Sequence, residues 1–273
     1  KLLHDMDVLE IVGTGGDGSN SFNISTTASM VIAAGGVPVA KHGNRAASSR
    51  CGSADVLAAL GYNLEAPVPV IEHEIVENGI GFLYAAKLHP ALANVAVIRR
   101  ELKVRTIFNM LGPLCNPAGA KSIVLGVYAP ELTELFAGAL LELGVRRALV
   151  VHGMEGIDEI SCCGPTRVSE LKDGGIPTGE LLPELLIGAS YDPAEIAGGT
   201  PEENAAILRS VLNGSNRGGA RASVLLNAGA TIYVAGGAPT LQEGIRLAGE
   251  SIDSGAALEK LEKLIEASHG TGA

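Results

Sequence analysis

Short apolar runs alternate with stretches of helical spacing along most of the chain. Residues 8–12 (Val-Leu-Glu-Ile-Val) read as a buried strand, followed by the loop Gly13-Thr14-Gly15-Gly16-Asp17-Gly18 and a helix of small residues over 25–34. A second strand is predicted at 37–41, a polar loop over 42–52, and a helix at 54–60 capped by Ser53, whose hydroxyl can accept a free N–H of the first turn. Helices over 67–78 and 90–102 flank a strand at 80–84, and an irregular stretch covers 108–117. Strand 122–127, helix 131–143 and strand 147–152 continue the alternation. This pattern predicts the α/β class: a mostly parallel central sheet wrapped by helices. After a hairpin-like strand at 166–171 the chain turns helical, at 202–212, 219–235, 240–252 and 256–267, with 174–200 the loosest segment. The Leu/Ala/Gly stripe in 219–235 reads as core packing, and His152, ending a strand, as structural.

Composition narrows the classes. With 47% apolar and 18% charged residues over 273 positions, the chain can bury a large core and is not of disordered type. Its apolar stretches, such as 33–40 and 123–129, are broken by Gly or Pro and fall short of the ~18–20 residues of a membrane span. Twenty Lys and Arg against 30 Asp and Glu leave a net charge of −10, with 3% aromatics and no Trp. Such a chain is no general nucleic-acid binder, since that needs a basic surface and stacking platforms. An anionic ligand must be met locally, by backbone N–H groups, a few basic side chains or a metal. Four cysteines without a CxxC pair fit reduced thiols and a cytoplasmic protein.

Three loops carry the candidate chemistry. The glycine loop 13–18 stands between strand and helix, where backbone N–H groups can approach a phosphate, and it is read as neither the dinucleotide fingerprint nor the GxxxxGK[ST] loop. Asn23, Ser25 and Thr26 follow at the helix start and suit oxyanions or a metal-bound pyrophosphate; the plainer reading is a tight turn with an N-cap. Lys41, His42 and Arg45, with Ser48, Ser49 and Arg50, form either a local cationic patch at the ligand-binding edge of the sheet or an exposed basic turn. Asp158 and Glu159 could address hard cations such as Mg²⁺, or form a solvated acidic turn. His89, Arg99 and Arg100 taken singly read as surface cations, and no GxSxG or motif-paired Cys and His marks covalent catalysis. The residues therefore describe a phosphate-rich, Mg²⁺-assisted site.

The strings GTGGDGSNSFNIST, VAKHGNRAASSRCGSADVLAALG, HPALANVAVIRRELKVRTIFNMLGPLCNPA and VVHGMEGIDEIS, in this order, closely resemble the anthranilate phosphoribosyltransferase family. The resemblance runs from about 8 to 259. It implies phosphoribosyl transfer from phosphoribosyl pyrophosphate (PRPP) to anthranilate in tryptophan biosynthesis, in a cytoplasmic homodimer with two Mg²⁺ per site. Carried over by motif, Gly13, Gly16, Asp17, Ser21, Asn23, Ile24, Ser25 and Thr26 would surround the pyrophosphate and ribose. Lys41, His42, Gly43, Asn44, Arg45, Ala46, Ala47, Ser48, Ser49 and Ser53 would wrap the phosphoribosyl end. Gly13, Asn44 and Arg99 would contact anthranilate, with His42, His89, Gly112 and Pro113 lining its channel. Ser25, Asp158 and Glu159 would hold metal, and Lys41, Asp158 and Glu159 would act electrostatically, without a dedicated acid or base. Arg50 stands where lysine is common and Ala46 where serine is frequent. The family's helical segment ahead of the VGTGGD strand has no counterpart here, which bears on the dimer contact. The implied division is a catalytic domain over 1–66 and 104–273, with 67–103 completing a small helical domain. A related phosphoribosyltransferase or nucleoside phosphorylase with another acceptor is the alternative. A silent nucleic-acid-binding paralogue would need a basic surface and eroded carboxylates, against the −10 charge and the intact Asp158-Glu159.

Overall fold

A computed structural model describes residues 6–46, 49–89 and 110–270. Seven strands, β1 (Leu9–Gly13), β2 (Val39–Gly43), β3 (Ile80–Tyr84), β4 (Ser122–Gly126), β5 (Arg147–Gly153), β6 (Thr166–Leu171) and β7 (Thr178–Leu181), form one sheet in the order β3-β2-β1-β4-β5-β6-β7. Pairs among β1 to β5 are parallel, and β6 and β7 add an antiparallel edge. The chain leaves β1 to one side for β2 and β3, then returns to its other side for β4. That reversal puts a crevice beyond the carboxyl ends of the strands, where open α/β sheets take their ligands.

Both faces of the sheet are apolar and covered. Leu9, Ile11, Val39, Val124 and Leu149 pack with α1 (Ile24–Ala34), α7 (Pro201–Leu212), α8 (Gly219–Val234) and α10 (Ala256–Ser268). Val8, Ala40, Ile123, Leu125 and Val150 pack with α3 (Val68–His73) and α5 (Leu132–Glu142). The small residues of α8 let α9 (Leu241–Asp253) cross in backbone contact: a Cβ on Gly244 would stand 2.2 Å from the Gly229 carbonyl oxygen. This stripe is core, as its composition indicates, and His152 is buried with Nδ1 2.7 Å from the Val127 carbonyl.

Four expectations change. β2 runs over Val39–Gly43 rather than 37–41, because its ladder to β3 extends from Val39↔Ile80 to Gly43↔Tyr84; His42 and Gly43 are therefore strand residues. Ser53 does not cap α2 (Ser53–Ala59) but begins it, and the Asp55 carboxylate accepts from the Gly52 N–H (2.9 Å) instead. The strand within 67–103 hydrogen-bonds to β2 as the edge of the main sheet, and α3, which continues into a π turn at Glu74–Asn78, packs on that sheet. The stretch 174–200 contains β7, α6 (Pro183–Ile187) and a 3₁₀ turn at Pro193–Ile196; α4 (Ala85–Leu88) follows β3 directly. The helix expected at 90–102 lies outside the described residues. Among the described residues no helix is long and apolar enough to cross a membrane.

Candidate active site

The acidic centre forms where β1 and β4 end. Both finish in glycine, and Asp158 lies over both tips: a Cβ on Gly13 would stand 2.4 Å from its Oδ2, and one on Gly126 1.6 Å from its carbonyl oxygen. The Gly15 N–H donates to Asp158 Oδ2 (2.6 Å), and the Asp158 N–H donates to Asp17 Oδ2 (3.3 Å). Gly15 and Gly18 have φ of +66° and +81°, a region glycine enters without Cβ strain. The spacing Gly13-x-Gly15-x-x-Gly18 matches a dinucleotide-type string, but α1 starts only at Ile24. The loop is thus wider than the tight strand-to-helix turn of that motif.

Glu159 meets the same loop from the helix side, where its Oε1 accepts from the Ser25 N–H in the first turn of α1 (3.2 Å). Asn23 precedes α1 yet makes no side-chain cap. Its amide nitrogen donates to the Cys51 carbonyl (3.2 Å), and its oxygen accepts from Asn204 Nδ2 (2.9 Å). A turn closed by an N-cap is therefore not what the sequence builds here. The start of α1 faces carboxylate instead, as a helix N-terminus favours. Ile24 and Thr26 are buried in that turn, and Ser21 bridges to Ala197.

Burial and the neighbouring Asp17 push the Asp158 carboxyl up to about 7; burial and Asp158 push Glu159 up to about 8. The nearby cation is Lys41, itself buried, its ammonium disfavoured by burial and supported by Glu10, Glu159 and Asp158. Its Nζ donates to the Ile11 carbonyl (2.8 Å), which lies beyond the single β1–β2 register pair Leu9↔Val39. Hard oxygen donors crowded this way fit a divalent cation such as Mg²⁺. Among the described residues no three His, Cys, Asp or Glu side chains form a ready cage, which suits an ion that keeps phosphate oxygens and waters as ligands.

The loop after β2 is folded on itself. Asp55 accepts from Arg45 Nη1 (2.8 Å), the Ala46 N–H (2.8 Å) and the Gly52 N–H. The Ala54 N–H returns to the Asn44 carbonyl, and the Asn44 side chain accepts from the Arg45 N–H (2.8 Å). Ser53 Oγ lies against Gly43, where a Cβ would stand 2.4 Å away. Ser49 and Arg50 are exposed, and Ala47 and Ser48 fall outside the described residues. The expected cationic patch is thus reduced: Lys41 is buried in the acidic centre, Arg45 is paired, and burial with His89 and Lys41 nearby pulls His42 down to about 4.

The remaining predicted residues gather elsewhere around β2. The His42 and His89 rings meet edge to face, centroids 5.1 Å apart. Gly112 and Pro113 form the 3₁₀ turn Gly112–Leu114 ahead of β4. Arg99 lies outside the described residues. Sequence reasoning missed Glu10, fully buried with neither oxygen hydrogen-bonded and Oε1 3.9 Å from His42 Nδ1. It also missed Asn227, which grips the Ile160 N–H (3.0 Å) and carbonyl (2.9 Å) directly after Glu159. A polar residue alone inside an apolar run was the available signal for each.

Residues 5–258 match the model of the glycosyl transferase family, a/b domain. The anthranilate phosphoribosyltransferase of Desulfosudis oleivorans is 55% identical over 265 residues, covering 97% of this chain and 78% of that protein. The one from Syntrophobacter fumaroxidans is 57% identical over 258 residues, covering 94% and 76%. The crystal structure of anthranilate phosphoribosyltransferase from Thermus thermophilus superposes with a TM-score of 0.92 at 50% identity, over 98% of this chain and 79% of that one. The Saccharomyces cerevisiae enzyme in complex with PRPP and Mg has a TM-score of 0.87 at 34% identity, over 96% and 74%.

Proposed function

This chain belongs to the anthranilate phosphoribosyltransferases of the glycosyl transferase family, and from that premise we propose how its site divides the work. It transfers the 5-phosphoribosyl group of PRPP to the amine of anthranilate, a step of tryptophan biosynthesis. A bond forms between the amine nitrogen and C1 of the ribose, the bond from C1 to the pyrophosphate oxygen breaks, and the amine gives up a proton. Pyrophosphate and N-(5-phosphoribosyl)anthranilate leave.

In our reading the pyrophosphate lies along Gly13, Gly16, Asp17, Ser21 and the start of α1 at Asn23, Ile24, Ser25 and Thr26. The phosphoribosyl end lies along the β2–α2 loop, and anthranilate lies by Gly13, Asn44, His42, His89, Gly112, Pro113 and Arg99. Ser25, Asp158 and Glu159 would hold Mg²⁺, two ions in this reading, and the bound metal would offset the charge growing on the departing pyrophosphate. The glycine loop and α1 contribute N–H donors fixed before reaction, which favour the charge of the transition state over that of the substrate. Lys41 balances the carboxylates from beneath. An aryl amine is unprotonated near neutral pH, so holding it against C1 is the main task left to the acceptor side.

One observation carries this assignment: Gly15 bonds Asp158 and Ser25 bonds Glu159, so loop, helix start and both acids share one centre. The test is the decay of anthranilate fluorescence. We expect decay only with PRPP and Mg²⁺ together; no decay with both present overturns the function.

A further inference from the structure

Glu10 is a charged residue type in the interior of a strand. It is fully buried, and neither carboxyl oxygen has a hydrogen-bond partner among the described residues. Asn116, which donates one amide N–H to the Ala40 carbonyl (3.0 Å), lies beside it and favours the ionised carboxylate through its side chain. His42 Nδ1 stands 3.9 Å from Oε1. His42 is 4% exposed, and its Nε2 likewise has no partner among the described residues, nor has Nε2 of His89 across the ring contact. A small rotation closes 3.9 Å to a hydrogen bond between Oε1 and Nδ1.

We propose that Glu10 is a positioning residue for His42, donating its carboxyl proton to Nδ1 so that Nε2–H becomes a fixed donor toward the acceptor's carboxylate. This rests on the assignment of His42 to the anthranilate side. The neutral carboxyl follows from complete burial, which disfavours the charged form more than Asn116 and Lys41 support it. The titratable groups facing the pair are Lys41 on β2 and His89 after α4; burial pushes Glu10 up to about 8 against the pull of the Asn116 side chain and of Lys41. His42 stays a neutral imidazole, so its tautomer is set by the hydrogen bond its other nitrogen makes. Ionised Glu10 would instead accept from Nδ1–H and leave Nε2 a bare lone pair, which repels a carboxylate.

Glu10→Met removes the donor while keeping length and apolar packing; Glu10→Gln keeps a donor that cannot ionise. We expect E10M to raise the anthranilate KM about tenfold, or about 1.4 kcal/mol, with the PRPP KM unchanged. E10Q should stay near wild type at pH 7 and lack the rise in anthranilate KM that we expect wild type to show above pH 8. In the free enzyme, ¹⁵N NMR should find His42 protonated at Nε2 in wild type and E10Q, and shifted toward Nδ1 in E10M. Wild-type anthranilate KM in E10M, or a wild-type His42 protonated at Nδ1, overturns the proposal. If E10M does not fold, the E10Q pH profile and the wild-type spectrum decide alone. The spectrum needs no turnover, so an enzyme inactive with anthranilate would defeat the functional assignment while leaving this one measurable.

Discussion

Two acidic regions are served by one strand and behave as opposites. At the tip of β1, Asp158 and Glu159 are adjacent carboxylates, bonded to loop and helix N–H groups and raised by burial and by neighbouring acids. Three residues back from Gly13, Glu10 is solitary, raised by burial without a second carboxylate beside it. The first region holds more negative charge than Lys41 can balance, and a multivalent cation relieves it. The second needs a single proton and an imidazole. Similar titration ranges therefore conceal different needs: what a buried acid is for depends on what else is buried with it.

The contrast breaks most visibly at the paired acids. Asp158→Asn with Glu159→Gln should lower turnover at least about 100-fold, the scale of losing preorganised charge stabilisation. Anthranilate binding, followed by its fluorescence, should change less than about threefold if that ligand lies mainly in the other region, as proposed. Full turnover of the double variant at saturating Mg²⁺ would remove the metal assignment. Gly13→Ala acts on the same centre through space alone. Its Cβ would press on Asp158 Oδ2 from 2.4 Å, so the carboxylate must turn away. Turnover should fall about tenfold, on the scale of a misplaced catalytic group, with a higher Mg²⁺ requirement and a smaller change in anthranilate KM. A shift in anthranilate KM instead would mean that the two regions are one.

The alternation of apolar runs was enough to read the sheet and its covering helices, because strands buried on both faces and helices packed on them leave a strong pattern. β7 escaped it: three of its four residues, Thr178, Gly179 and Glu180, are exposed, and only pairing with β6 makes it a strand. The acidic pair and glycine loop were legible because their local strings are unusual. Their meeting across 143 positions, Gly15 to Asp158, depends on the order in which strands assemble. The cationic patch is smaller than its string suggests for the same reason: charge is visible in a sequence, but the partner that cancels it, Asp55 for Arg45 or the acids around Lys41, is not.

On the other region the effects are smaller. His42→Asn should raise the anthranilate KM about fivefold, close to 1 kcal/mol, and leave the Mg²⁺ requirement alone. A change in Mg²⁺ dependence would tie His42 to the acidic centre and weaken the contrast.

The finest test is stability against pH. An unfolded glutamate ionises near 4.5, whereas Glu10 in the folded protein keeps its proton to about 8. Between these values the folded state binds more protons than the unfolded state, so stability falls as pH rises and the loss is complete above 8. Asp158 and Glu159, raised in the same direction, add to that slope. Urea unfolding at pH 5 and pH 8 should therefore show wild type weaker at pH 8. Glu10→Gln should recover roughly 1 kcal/mol of the difference, a fraction of the linkage its shift allows. Mg²⁺ at pH 8 should recover a separate part, since it binds the ionised acids of the folded state. The two recoveries should add to the extent that Lys41, which faces Glu10 as well as both site acids, does not couple them. If Mg²⁺ abolished the effect of Glu10→Gln, the two acids would be titrating as one cluster, and the division of the strand into a metal end and a proton end would fail.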